Sequence, residues 1–249
     1  VFTGSQIPLC EAHNDARRNI IASILFAGRD SYPEVLLFFD DKLLRGCRAT
    51  KTNTHGLGAF ASPNLAPLAT LGVTIAERLD LVLPPPKAPL KVRVRVETRI
   101  LVIRLVPGFD DAVLQILLTS DSLKGLVLEL YGTGNMQTSK KGLLDMLAKA
   151  HEGGMVLVAT SQCAMGGVVL AKYAASSALV GVGVVSAGDM TTEAASTKLG
   201  HLLGNPDLTP HQVRALMGVT LRGELSPPEE LAKPVFPNAF RLAGMLRGT

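Results

Sequence analysis

Apolar and polar positions along this chain fall into blocks that predict strands alternating with helices. Val1, Phe2 and Thr3 read as a strand that turns at Gly4. Residues 15–28 then set Ile20, Ile21, Ile24 and Leu25 at helical spacing, with Asp15 placed to cap the helix and Gly28 to stop it. Residues 34–39 form a short, nearly continuous apolar run, the mark of a strand covered on both faces in a parallel sheet. Strand, helix, strand is a βαβ unit, and residues 71–74 add a further strand candidate. The run Leu83-Pro84-Pro85-Pro86-Lys87-Ala88-Pro89 fits neither a helix interior nor a central strand, because proline has no N–H to give to either ladder. It marks the expected boundary. Residues 1–82 then form one domain, 83–98 a linker with a first strand region, 99–228 a second α/β domain and 229–249 a tail.

Past the prolines, Lys91, Arg93, Arg95, Glu97 and Arg99 alternate with Val92, Val94 and Val96, the pattern of a strand with one solvated face. The period then repeats: strand 100–105, helix 111–118, strand 125–130, helix 140–152, strand 155–159. Alternating β and α implies a parallel sheet covered by helices. Helices also fit residues 191–203 and 210–218, each with a threonine at or beside its start.

Composition narrows the class. A hydrophobic fraction of 47% against 18% charged excludes disorder, collagen and coiled coil for the chain as a whole. With 4% aromatic residues and no Trp, stacking platforms for nucleic-acid bases are poorly supplied, and 25 Lys and Arg against 21 Asp and Glu give no strong field. A nucleic-acid partner is therefore not expected. Cys10, Cys47 and Cys163 are odd in number and far apart, which argues against a disulfide framework and for a reducing compartment. The five histidines stand at no zinc-ligand spacing, so no metal is expected. The apolar stretch 165–188 carries Lys172 and Tyr173 in its interior and several glycines, and reads as a buried helix followed by a buried strand, not a membrane span. The chain opens on Val1, already strand-like, and is expected to be a fragment or a processed product.

Candidate chemistry is sparse on residue pattern alone. Gly181-Val182-Gly183 and Gly132-Thr133-Gly134 lack the third glycine of a dinucleotide fingerprint, and no cofactor is expected. Tyr131-Gly132-Thr133-Gly134-Asn135 leaves the carboxyl end of a strand, where open α/β sheets carry ligand loops, although an ordinary βα turn reads the same way. Lys51, in the polar stretch Arg48-Ala49-Thr50-Lys51-Thr52-Asn53-Thr54, is either a solvated lysine or a proton shuttle tuned by its surroundings.

A resemblance decides between these alternatives. Thr3-Gly4-Ser5-Gln6-Ile7-Pro8-Leu9, Asn14-Asp15-Ala16-Arg17-Arg18-Asn19, Leu44-Arg45-Gly46-Cys47-Arg48-Ala49-Thr50-Lys51 and Ala59-Phe60-Ala61-Ser62-Pro63-Asn64 resemble, in order and spacing, cytoplasmic type I L-asparaginases. So do Tyr131 to Asn135, Gln162-Cys163, Ala187-Gly188-Asp189-Met190-Thr191 and Leu221-Arg222-Gly223-Glu224-Leu225. The resemblance implies two parallel-sheet α/β domains, the first incomplete here, in a homotetramer built as a dimer of dimers. It implies hydrolysis of L-asparagine to L-aspartate and ammonia by a threonine nucleophile, without a cofactor, in the cytoplasm, with a mitochondrion or plastid left open. Lys51 matches the lysine of that family's proton relay. Ser5 matches a position whose backbone lies beside the substrate amide, and Asn135 an asparagine reaching into a neighbouring subunit's site.

Departures from the family pattern carry expectations too. Its Gly-Gly-Thr-Ile and His-Gly-Thr-Asp motifs are absent from this chain, and His55-Gly56-Leu57-Gly58 is no version of the latter. The chain alone is therefore expected to be inactive, and a non-catalytic scaffold or assembly subunit is the alternative function. Some bacterial members bind asparagine at an allosteric site through a threonine, a cysteine and an arginine. Thr50 and Cys163 match, but Glu129 holds the arginine position, and a carboxylate cannot clamp a carboxylate as a guanidinium does. That allosteric site is expected to be lost.

Overall fold

The computed structural model describes residues 1–89, 91–109, 111–118, 122–136, 141–170 and 174–227. The expected tail, and Lys172 and Tyr173, lie outside them.

The chain enters as the expected βαβ unit. Phe2 pairs in parallel with Leu37, its N–H donating to Leu36 O at 2.7 Å and its carbonyl accepting from Phe38 N at 2.9 Å. Helix α1 (Ala16–Ala27) makes the crossover to β1 (Leu36–Phe39). The next connection is different. Asp40 and Asp41 have φ of 47° and 59°, a two-residue turn with left-handed backbone that returns the chain at once as β2 (Lys42–Arg45). After a 3-10 turn at Gly46–Arg48 comes a two-stranded ribbon, β3 (Thr50–Lys51) with β4 (Phe60–Ala61), then the hairpin β5 (Ala69–Leu71) and β6 (Ile75–Glu77). The first sheet runs β1-β2-β5-β6 with every pairing antiparallel. The α/β class stands, while the parallel character expected of residues 34–39 is confined to the Phe2–Leu37 bridge, because a two-residue turn leaves no room for a crossover. The strand expected at 71–74 is the end of β5 and the turn that follows it.

The structure shows which face α1 buries and corrects the strand expected past the prolines. Helix α1 forms, but its buried side is Ala16, Asn19, Ala22, Ser23 and Phe26, and the Ile20, Ile21, Ile24, Leu25 stripe faces outward. Small residues let the helix lie close to the sheet while Ala22 and Phe26 enter the core, the Phe26 ring 5.6 Å from that of Phe38 and 5.9 Å from that of Tyr32. Residues 91–97 belong to no strand or helix among the described residues, and Val92, Val94 and Val96 are exposed. They run against a helix instead: Glu97 N–H donates to Gly200 O at 2.9 Å, and a β-carbon on Gly204 would stand 2.5 Å from Arg95 O.

The second sheet follows the sequence closely. Strands β7 (Ile100–Arg104), β8 (Gly125–Leu130), β9 (Val156–Ser161) and β10 (Val185–Ser186) pair in parallel in the order β10-β9-β8-β7. Between and after them come α2 (Asp111–Leu118), α3 (Lys141–Glu152), α4 (Ala174–Gly181), α5 (Thr192–Leu203) and α6 (Pro210–Met217). Leu126, Leu128 and Leu130 of β8 pack on one face with Leu114 of α2, Leu147 of α3 and Leu179 of α4. Val127, Val156 and Val158 pack on the other with Leu199 of α5 and Val213 and Met217 of α6. Burial on both faces is why these strands read as continuous apolar runs. Thr191 and Thr209 cap α5 and α6 by accepting from Ala194 N and Gln212 N. Among the described residues no helix is long and apolar enough to cross a membrane.

Candidate functional site

The turn that carries Ser5 is fixed from beneath by the start of α1. The Asp15 carboxylate accepts from Gln6 N–H (3.0 and 3.2 Å) and Ile7 N–H (3.0 Å), and buried Asn19 donates to Gly4 O at 2.9 Å. Both sides of the Ser5 peptide are thus held while Ser5 itself stays exposed. Burial pulls the Asp15 carboxyl up, but the Gln6 and Ile7 amides and Asn19 outweigh it and bring it below the usual aspartate value. Asp15 makes no side-chain capping bond to α1, contrary to the sequence reading, because its oxygens are occupied by the turn.

Lys51 lies in β3, not in a loop, and is exposed. Its Nζ stands 5.8 Å from the Phe60 ring centroid on the facing strand, within cation–π reach. Phe60 packs at 5.1 Å on Phe39, and Gly4 lies against the Phe39 ring, 3.7 Å from where its β-carbon would be. A line of contacts, Gly4–Phe39–Phe60–Lys51, therefore joins the Ser5 turn to Lys51. Gln6 also donates to Gly56 O at 3.1 Å, tying the turn to the loop between β3 and β4.

The Lys51 ribbon is anchored to the second sheet's layer on both sides. Just before it, Arg48 pairs with Asp189 and donates to Gly223 O (2.7 Å) and Ser226 Oγ (3.0 Å). Just after it, Asn64 donates to Asp189 O (2.9 Å) and Gly166 O (3.0 Å) and accepts from Gly166 N (2.8 Å). Sequence reading quoted Arg48, Asn64 and Asp189 within motifs but gave them no role.

Asn135 belongs to the second sheet, whereas Ser5 leads into the first and Lys51 lies in the β3–β4 ribbon. Asn135 closes a tight loop at the end of β8, where Tyr131 and Asn135 exchange backbone bonds of 3.0 and 2.8 Å and Met136 N donates to Asn135 Oδ1 at 3.0 Å. Gly132 and Gly134 supply the positive φ that this loop needs, 51° and 118°. The side chain is exposed at the sheet's carboxyl edge.

Of the residues at the expected allosteric positions, Thr50 and Glu129 bond to the start of α5. Thr50 Oγ1 donates to Glu193 at 2.8 Å, and both Glu129 oxygens are engaged, one by Thr192 at 2.6 Å and one by Arg104 at 2.7 Å. Cys163 is exposed, with its N–H on Ser161 Oγ at 3.0 Å. Glu129 thus closes a network with the protein's own cation and hydroxyl. Among the described residues no group of three or more His, Cys, Asp or Glu is placed to hold a metal ion.

Comparison with known proteins follows these features along the chain. Residues 1–81 match the family described as Asparaginase, N-terminal, and residues 99–217 match the Glutaminase/Asparaginase C-terminal domain. L-asparaginase 1 of Escherichia coli is 38% identical over 227 residues, covering 91% of this chain and 66% of that protein. The 60 kDa lysophospholipase of Homo sapiens is 42% identical over 229 residues, 92% of this chain, which spans 39% of the human protein. The crystal structure of L-asparaginase I from Vibrio cholerae matches with a TM-score of 0.81 at 36% identity, over 90% of this chain and 67% of that one.

Proposed function

Because this chain belongs to the asparaginase family, we propose that it supplies Ser5, Lys51 and Asn135 to an amidohydrolase site that converts L-asparagine to L-aspartate and ammonia. The observation that carries this reading is the line of contacts through Phe39 and Phe60 that links the exposed, hydrogen-bonded Ser5 turn to the exposed Lys51 ammonium. The peptide suits recognition of the substrate amide, and the lysine suits proton transfer.

In the proposed reaction a threonine hydroxyl adds to the side-chain amide carbon, the C–N bond breaks, and ammonia leaves with the hydroxyl proton. Water then adds to the ester, the bond to threonine breaks, and aspartate is released. Lys51 serves the proton movements of both halves. This chain contains neither Gly-Gly-Thr-Ile nor His-Gly-Thr-Asp. The nucleophile is accordingly proposed to come from an amino-terminal segment, in the same or another chain, that completes the first domain. Residues 1–82 and 99–228 are the proposed domains, joined by 83–98. Asn135, on the second sheet, would serve the site of a neighbouring subunit in a cytosolic homo-oligomer. The absence of both threonine motifs is also what favours the second reading, a scaffold or assembly subunit without activity.

The test is ammonia release from L-asparagine by this chain alone and by the protein carrying the threonine-bearing segment. The proposal expects background from the first and turnover from the second. It also expects that mixing Lys51→Ala with Asn135→Ala subunits returns part of the lost activity. Fatty acid released from a lysophospholipid with no ammonia from asparagine would contradict it, and a folded, silent assembly would move the function to the scaffold reading.

A further inference from the structure

The Asn135 loop does not stand on β8 alone. Val169 N–H donates to Thr133 O at 2.9 Å, and a β-carbon on buried Gly134 would stand 3.0 Å from Val168 Cγ1 and 3.5 Å from Leu170 Cδ2. Residues 168–170 are therefore the seat on which Gly132-Thr133-Gly134-Asn135 rests. That seat is joined to β10 and to the turn before α5, because Val168 N–H donates to Gly188 O at 2.9 Å and Ser186 Oγ donates to Val168 O at 2.7 Å.

One side chain from the segment between β4 and β5 holds this seat. Asn64, four residues past Phe60, engages it with its whole amide: Nδ2 donates to Gly166 O (3.0 Å) and Asp189 O (2.9 Å), and Oδ1 accepts from Gly166 N (2.8 Å). Two acceptors and one donor face the side chain, a set that asparagine matches and its near-isostere aspartate does not. The bonds to Gly166 fix the segment leading into residues 168–170, and the bond to Asp189 O fixes the segment paired with it. The Lys51 ribbon has other holds besides, in Arg48 with Asp189, Gly223 and Ser226 and in Thr50 with Glu193. Losing the Asn64 amide therefore frees the Asn135 side of this link first.

We propose that Asn64 is a positioning residue for Asn135, setting the Asn135 loop at a fixed place relative to the Lys51 ribbon of the same chain. The inference rests on the amidase reading for what Asn135 does, and on the hydrogen bonds of Asn64 for where its loop is held.

Two measurements on the full-length protein test it. The first is amide hydrogen exchange in Asn64→Asp, a variant that leaves no cavity and sets a carboxylate against two carbonyl oxygens. Its Val168 and Val169 amides should exchange about tenfold faster than in the wild type, while those of Leu126 and Val127 in β8 keep their wild-type rates. The second is ammonia release from L-asparagine. Asn64→Asp should raise KM about tenfold with kcat little changed, and should add nothing further once Asn135 is replaced by alanine, whereas a merely structural defect would add to that replacement. Unchanged exchange, or an Asn64→Asp effect of equal size with and without Asn135, would overturn the proposal. A wild type that releases no ammonia while the variant exchanges faster as stated would overturn the amidase reading and uphold the hold of Asn64 on the loop.

Discussion

The Arg48 guanidinium meets the Asp189 carboxylate at 2.7 Å with 3% and 5% of the two side chains exposed, so the segment leading into Lys51 is bolted to the turn before α5 by a buried ion pair. Asp189 spends its other oxygen on Ser226 N at 2.9 Å, and Arg48 also donates to Gly223 O and Ser226 Oγ, so each ion is held by hydrogen bonds beyond the pair itself. Removing either leaves the other charged and buried without a partner. Arg48→Ala is expected to cost about 3–5 kcal/mol in urea unfolding, and Arg48→Ala/Asp189→Ala clearly less than the sum of the two single changes. Additive costs would show that the pair is not coupled.

Acid should loosen the same region through a second buried pair. Burial pulls the Glu224 carboxyl up, but Lys198 at 2.7 Å and the Arg222 and Leu221 amides outweigh it and hold it below the ordinary glutamate value of 4.5. A carboxyl depressed in the folded state contributes stability that is complete above its unfolded value and is lost as pH falls through the folded one. The unfolding midpoint should therefore fall steadily as pH drops below about 4.5, and Glu224→Gln should flatten that slope while lowering stability at neutral pH. An unchanged slope in the variant would assign the acid response elsewhere.

Asp15 acts on the Ser5 turn without touching Lys51. In the active assembly Asp15→Asn keeps one acceptor and sets an amide N–H₂ against the Gln6 or Ile7 N–H. The KM for asparagine should rise about tenfold with a smaller change in kcat, the signature of lost substrate positioning. A fall in kcat at constant KM would contradict the role given to the turn.

The sequence reading succeeded where burial imposes a period and failed where partners are distant or shared. Strand β8 was legible because alternate Leu and Val side chains fill two cores, and α5 because Thr191 caps it. Nothing local marks Arg48 as the partner of Asp189, since such a pair exists only after the two sheets have met. The α1 stripe has helical spacing, so its pattern identifies the helix but not which side is covered; the small residues opposite carried that information. The Val92, Val94, Val96 alternation fits a strand, yet Gly200 and Gly204 offer this backbone a helix to lie on and no strand edge. Lys51 and Ser5 were singled out by motif, whereas nothing local announced the aromatic contacts between their segments.

Glu129 is already satisfied by Arg104 and Thr192, so it offers a second asparagine no cation. Asparagine saturation of the active assembly should be hyperbolic. A Hill coefficient well above one would show that a coupled site persists despite Glu129.

The central claim, that Lys51 is the proton-transfer group of an asparaginase site, is tested most directly by the rate of ammonia release from L-asparagine, measured for the threonine-bearing protein and for its Lys51→Ala variant. Lys51 is exposed, with its ammonium over the Phe60 ring, so the variant should fold and associate as the wild type does. Its kcat should fall by about 10²–10⁴. A well-folded Lys51→Ala protein that releases ammonia at the wild-type rate would contradict the account.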